Sequence, residues 1–421
     1  MVEEYKGFYD SVIHETTITE EESGGFSKVF SNAGFLFLWF GQLASQLADR
    51  VYVYVLMIVA FNLTKSNLGV SVPLLAFGVP SILFGPIAGV FVDKWNRKTI
   101  LVVTSVIRGA LILLIVPLVQ HSLILTFAIS FLIYTAMQFF APAETASIPE
   151  LVKKDDLIIA NSLFMVTWMV ASVLGFGFGA PLVNFFGERG TILAAALLYF
   201  VAAFSIFFVP LKPREIKKGH IENSLKKDFL LGFEFIRRNN IVRYSLIKLF
   251  VATSAIAVIS LLAISYAKEI LGIGEKNFGY LIIVVGVGMF AGTWLLERLR
   301  RYLTKGTIVI SSFIISGLVL LFLGRVADFK LGLLLIFLLG IGNICITSTI
   351  QTILQQHIPR EIRGRIFGVQ NMLINSAFVF PVILAGVVAD LYGVRIGLEM
   401  MGWVVVLTGL AGIFLPKFRT A

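Results

Sequence analysis

From residue 33 to residue 415 the chain is a succession of apolar stretches separated by short polar connections. A helix needs about 20 apolar residues to cross roughly 30 Å of hydrocarbon, so this pattern decides the fold class before any motif is read. Spans are expected at 33–62, 69–92, 99–119, 123–143, 158–183, 191–210, 243–266, 278–296, 306–324, 331–353, 366–389 and 395–415. Hydrophobic residues make up 57% of the 421 and charged residues only 14%. A soluble globule carries about a quarter charged residues to cover its surface, which this chain lacks. Unpaired backbone groups are costly in lipid and the strict alternation of a barrel strand is absent, so the spans are helices. The chain reads as an all-α membrane protein with twelve transmembrane helices.

The positions of Lys and Arg set the orientation. Most of the 35 fall in connections on one side: Lys94, Arg97 and Lys98, then the central loop from Lys212 to Arg243, then Arg298 to Lys305, then Arg360, Arg363 and Arg365. The net charge of +10 is thus a topology signal, and nucleic acid is not called for as a partner. Both termini are expected in the cytoplasm, in a bacterial-type plasma (inner) membrane. The first 25 residues are acidic and lack an apolar core, as in a solvated tail. The expected organisation is a cytoplasmic tail at 1–32, a six-helix bundle at 33–210, a linker at 211–242, a second six-helix bundle at 243–416 and a tail at 417–421. Within the linker, Leu225, Phe229, Phe233 and Ile236 lie at helical spacing opposite Lys226, Lys227, Arg237 and Arg238, the pattern of an amphipathic helix at a membrane surface. One cysteine, Cys345, and four scattered histidines supply neither a disulfide nor a metal site, and no cofactor is expected.

The halves repeat. PELVKKDDLIIANSL begins at Pro149 and PREIRGRIFGVQNML at Pro359, and a common shift pairs Asn161 with Asn371. Each follows one span and precedes the next. Two repeats of this kind are a known route to alternating access.

Gly89-Val-Phe-Val-Asp93-Lys94-Trp95-Asn96-Arg97-Lys98 joins spans two and three. It resembles the G-x-x-x-D-[RK]-x-G-[RK]-[RK] loop of the major facilitator superfamily, with Asn96 in the place of the usual Gly, a residue that also tolerates a left-handed backbone. With the span layout, the central loop and the repeat, the resemblance covers effectively the whole chain. It implies the major facilitator fold of two pseudo-symmetric six-helix bundles, working as a monomer. Asp93 ends a helix, an unfavourable place for a negative charge. The resemblance implies that its carboxylate caps the start of span eleven and, with Gly89, Lys94, Arg97 and Lys98, forms a latch on the cytoplasmic side. Span five carries Gly175, Gly177, Gly179 and Pro181, loosely similar to the span-five motif of the superfamily's antiporters. Helix packing and bending would account for them equally.

Charges inside spans are the strongest pointers to function, because each is costly unless paired or hydrated. Gln42, Ser45, Gln46 and Asp49 recur at helical spacing in span one, a polar stripe expected to face water between the halves. Asp49 is either a proton-coupling carboxylate or one half of a structural ion pair with Arg50 or Arg108. Arg108 and Glu144 are read as a bridge inside the first half, and Lys248 as a side chain that reaches the membrane surface. Asn343, Thr347, Gln351, Asn371 and Asn375 would line the cavity from spans ten and eleven, or hydrogen-bond between helices.

No G-x-x-x-x-G-K-[ST], H-E-x-x-H or G-x-S-x-G occurs, so no enzyme chemistry is expected. FLWFGQLASQLADR from Phe37, PAETASIPELVKKDDLIIANSL from Pro142 and PREIRGRIFGV from Pro359 resemble the bacterial branch containing macrolide-efflux proteins and the enterobactin exporter. That resemblance implies outward export of an amphiphilic small molecule across the lipid bilayer in exchange for protons. A lysophospholipid transporter of the same fold, or a non-transporting receptor or scaffold, are the alternatives.

Overall fold

The computed structural model describes residues 26–119, 122–153, 156–211, 234–359, 363–415 and 418, and no strand occurs among them. Helix α1 runs over Ala33–Thr64, α2 over Asn67–Lys94, α3 over Arg97–Ile115 and α4 over Leu123–Leu151. Their starts are set by small polar residues. Asn32, Ser66, Asn96 and Ser122 each accept the backbone N–H three residues on, satisfying a donor the helix leaves free. Asn96 is extended (φ −67°, ψ 116°), so it holds its position as a cap and not through the left-handed backbone expected of it.

One helical stretch then covers Leu157–Phe207, 51 residues, or about 76 Å if straight. Gly187 interrupts it at φ 67°, ψ 179°, where a side chain would be strained. The contacts with α1 show the chain doubling back there. Thr167 accepts a hydrogen bond from the Trp39 indole, and Asn62 at the other end of α1 donates to Glu188. Ser205 then donates to Phe37 O, beside Trp39 again. The stretch therefore crosses twice, as α5 (157–186) and α6 (188–207), and the loop expected at 184–190 is reduced to one glycine. Among the described residues eleven helical stretches are long and apolar enough to cross a membrane, and this division counts one of them as two crossings.

The second half holds α7 (Asn240–Ser265), extended by a π-helical turn at Tyr266–Ile270, then α8 (Phe278–Leu299), α9 (Lys305–Leu323) and α10 (Phe329–His357). Helix α11 comes in two pieces, Arg363–Ser376 and Phe380–Tyr392, and α12 covers Val394–Ile413. The second piece of α11 has Pro381 in its first turn, where a missing N–H costs nothing.

Helices α1 to α6 pack largely on one another, and so do α7 to α12. In the second set α8 and α10 touch backbone to backbone: a Cβ on Gly288 would overlap the Phe337 carbonyl, and one on Gly340 would lie 2.9 Å from Met289 N. Of the expected linker helix only 234–238 is described. There Ile236 is buried while Arg237 and Arg238 are exposed. Residues 212–233 of that linker, the first 25 residues and most of the C-terminal tail lie outside the described residues.

Candidate functional site

Asp49 sits midway along α1, in a helix whose sides are covered by α5 and α6 of the same half. Its carboxylate is 4% exposed. One oxygen accepts the hydroxyl of Tyr199 from α6, and the other lies 3.7 Å from Nη1 of Arg108 from α3. Arg108 is fully buried. Its Nη2 donates to Ser45 Oγ at 3.0 Å, and its guanidinium lies 4.5 Å from the Tyr199 ring centroid and 4.6 Å from that of Phe140. A cation held this far from water is tolerable because a carboxylate and two aromatic faces replace its hydration. Of the two cations named for an Asp49 ion pair, it is Arg108, on a different helix, that lies against the carboxylate.

Glu144 on α4 is also buried, within electrostatic reach of Arg108 and Asp49, and its Oε1 has no hydrogen-bond partner. The expected Arg108–Glu144 bridge is not formed among the described residues; Arg108 turns to Asp49 instead. Beside them the Tyr52 hydroxyl pairs with Ser130 Oγ at 2.6 Å, and the Tyr134 hydroxyl has no partner.

The polar stripe of α1 points elsewhere than expected. Gln42, Ser45 and Asp49 are buried, Gln42 donating to Phe164 O at 3.4 Å and Ser45 accepting from Arg108. They face α3, α5 and α6, and do not line an opening between halves in this conformation. Gln46 and Arg50 alone keep partial exposure. Arg50 lies 5.5 Å from the ring centroid of Trp168, which is half exposed, and its Nε has no partner. Gly175 faces the stem of Arg50, and a Cβ on Gly179 would lie 2.5 Å from the Tyr54 ring, so both glycines sit where α5 comes closest to α1. Pro181 lies inside α5, six residues before the reversal at Gly187.

In the second half Gln370 donates to Gln351 Oε1 at 2.9 Å, tying α11 to α10, while Thr347 bonds the Asn343 carbonyl of its own helix. Asn343, Thr347, Gln351 and Asn375 are partly exposed, and Asn371 is exposed. Lys248 does not reach the surface as expected. It is buried, donates to Thr408 O at 2.7 Å and lies between the rings of Phe313 and Phe418. Of the expected latch, Arg97 bonds Ala146 O at 2.7 Å and pairs with Glu150, and Lys98 lies over Phe207. The side chains of Gly89, Asp93, Lys94, Arg363 and Arg365 lie outside the described residues.

Among the described residues, the side-chain joins between the two sets of helices lie from mid-span toward one face. Call the end of α1 at Trp39 the basic face, after its loops, and the end at Asn62 the far face. Val173 and Phe176 of α5 abut Gly286 and Gly279 of α8, and Gly177 abuts Ile283. The Tyr54 hydroxyl donates to Lys276 O while its ring stacks on Phe278, centroids 4.5 Å apart. Phe77 meets Phe378 edge-on, Ser265 donates to Asn67 Oδ1 at 2.6 Å, and Lys268 lies over Phe61. These joins run from mid-span to the far face. Two helix sets, each packed largely on itself and joined to the other across α2, α5, α8 and α11, agree with the comparison with known families: residues 38–382 match the Major Facilitator Superfamily.

The chain belongs to that superfamily. As a facilitator-fold transporter it is similar, at 24% identity over 389 residues, to the MFS-type transporter YfiS of Bacillus subtilis, covering 90% of this chain and 92% of that one. It is 21% identical over 403 residues to macrolide efflux protein A of Streptococcus pyogenes, covering 91% and 96%. Its fold is similar to that of a bacterial homologue of the lysosomal transporter Spinster solved in an inward-facing conformation, with TM-score 0.73, 11% identity and coverage of 92% and 95%. It is a membrane transporter of small molecules, not an enzyme. Tyr199 escaped the sequence reading because a tyrosine in an apolar span is ordinary, and only its position opposite Asp49 sets it apart.

Proposed function

We propose that this transporter exports an amphiphilic small molecule in exchange for protons, by rocking two six-helix bundles about the interface between them. The observation that supports the reading is that, among the described residues, side-chain joins between the halves cluster toward the far face, as expected of a carrier open to the other side. The basic loops support an orientation with the open side and both termini in the cytoplasm, and a bacterial-type inner membrane is the proposed location. A relative named as a macrolide efflux protein supports outward movement. Arg50 beside the half-exposed Trp168 offers an amphiphile a cation and a ring together, and Asn343, Thr347, Gln351, Asn371 and Asn375 supply the opposite wall.

Proton coupling is assigned to Asp49 with Glu144. Two buried carboxylates act on one guanidinium, Arg108, and only Asp49 pairs with it here. A proton arriving on Asp49 removes that pair and leaves Arg108 to turn toward Glu144. A local charge change thereby repacks α1 against α3, α4 and α6. The experiment is transport of fluorescent amphiphiles into proteoliposomes under an imposed pH gradient. Wild type should accumulate the dye, and Asp49→Asn should lose gradient dependence while retaining exchange. Movement of no amphiphile, siderophore or lysolipid under any gradient would sink the export reading, and full gradient dependence in Asp49→Asn would sink the role of that carboxylate.

A further inference from the structure

Asp390 ends α11 at the far face, and its partners all lie in the other half of the molecule. One carboxylate oxygen accepts the Asn67 backbone N–H at 2.6 Å and the Asn67 side-chain amide at 3.1 Å. The other accepts the Leu68 N–H at 3.0 Å and the Ser66 hydroxyl. Ser66 is the cap of α2 and bonds Gly69 N at 3.1 Å. The carboxylate therefore closes the first turn of α2 from outside, satisfying N–H groups that Ser66 alone cannot reach. It also places a negative charge where the helix dipole is positive.

The approach depends on Gly386, one turn earlier on α11. A Cβ there would lie 3.1 Å from Leu68 Cα and 3.3 Å from Leu68 N, so a larger residue would hold the helices apart. Gly386-x-x-x-Asp390 is thus one device: the glycine lets a helix end approach a helix start, and the aspartate four residues on caps it. The same spacing stands at the opposite end of α2, in Gly89-x-x-x-Asp93, and α2 and α11 pack against each other.

We infer that Asp390 is a far-face latch, a conformation-determining residue of the transport cycle that holds the halves together outside and must release α2 before the carrier opens outward. The inference rests on the alternating-access reading, but its test needs no substrate. Opening the far face withdraws α2 from α11 and strands several charge-assisted hydrogen bonds at once. The latch thus weights the equilibrium toward the state open at the basic face.

The test uses spin labels on cysteines at Ile124 and Phe329, exposed far-face positions on opposite halves, in the full-length Cys345→Ala protein in nanodiscs. Pulsed dipolar distances report how far that face has opened. Asp390→Asn keeps the shape and removes the charge, and should raise the ratio of long to short distances roughly tenfold, equivalent to about 1.4 kcal/mol. Ser66→Ala should shift it in the same direction by roughly threefold, on the scale of a lost cap. Asp328→Asn is the control: it also removes a helix-capping aspartate at the far face, but Asp328 caps Leu331 N within its own half, and it should leave the distances unchanged. Should Asp390→Asn not fold, Ser66→Ala against Asp328→Asn decides alone. Distances unmoved in the Asp390 and Ser66 variants, or moved equally in Asp328→Asn, would overturn the latch. Loss of export with the distances shifted as stated would leave it standing.

Discussion

Arg108 is the largest fully buried side chain among the described residues, and its neighbours show how a cation is kept in a bilayer. Two ring faces, one hydroxyl and one carboxylate stand in for water. Removing one member of such a set leaves the other charge uncompensated, at a cost of about 3–5 kcal/mol. Arg108→Gln should therefore lower the melting temperature in detergent sharply, and adding Asp49→Asn to it should recover part of the loss. Equal instability of the double and single variants would mean that Asp49 and Arg108 do not depend on each other. The charges themselves were legible in the sequence, because Asp49 and Arg108 stand in otherwise apolar runs. Their pairing was not. Residue spacing along α1 says which side chains share a face, but not which of several neighbouring helices that face meets. For that reason Gln42 and Ser45 were expected beside water and are found against α5 and α3.

Helix ends and reversals are where the elements departed from expectation. The apolar runs placed most crossings within a few residues, because bilayer thickness sets their length, but α4 runs to Leu151, eight residues past the expected end at 143. They did not disclose that α5 passes into α6 through Gly187 alone, since 184–190 has the polar and small residues of an ordinary loop. At φ 67°, ψ 179° a side chain is strained by about 1–3 kcal/mol, with nothing within 4 Å to obstruct a Cβ. Gly187→Ala should accordingly cost stability through backbone strain and not through a clash, which thermal unfolding in detergent would show as a lowered midpoint. An unchanged midpoint would mean that the reversal tolerates any residue. Asp390 was missed for a related reason: an aspartate at the end of a span is unremarkable until the helix start it caps is seen in the other half.

At the scale of the whole molecule, membrane insertion was legible in the composition, whereas the state of the carrier depends on contacts between residues hundreds of positions apart. That state makes a prediction about access. In the Cys345→Ala background, a cysteine at Trp168 should react with a membrane-impermeant thiol reagent supplied at the basic face and resist it at the far face. Adding Asp390→Asn should increase labelling from the far face several-fold. Equal labelling from both faces in the parent protein would contradict a carrier open to the basic face. The reversal at Gly187 has a mechanical consequence here. Helix α5 bears on the second half through Val173 and Gly177, and α6 carries the phenol that grips Asp49. With no slack joining them, the two act as one bent lever: a tilt imposed on its outer arm by the closing or parting of the halves is delivered by the inner arm to the carboxylate.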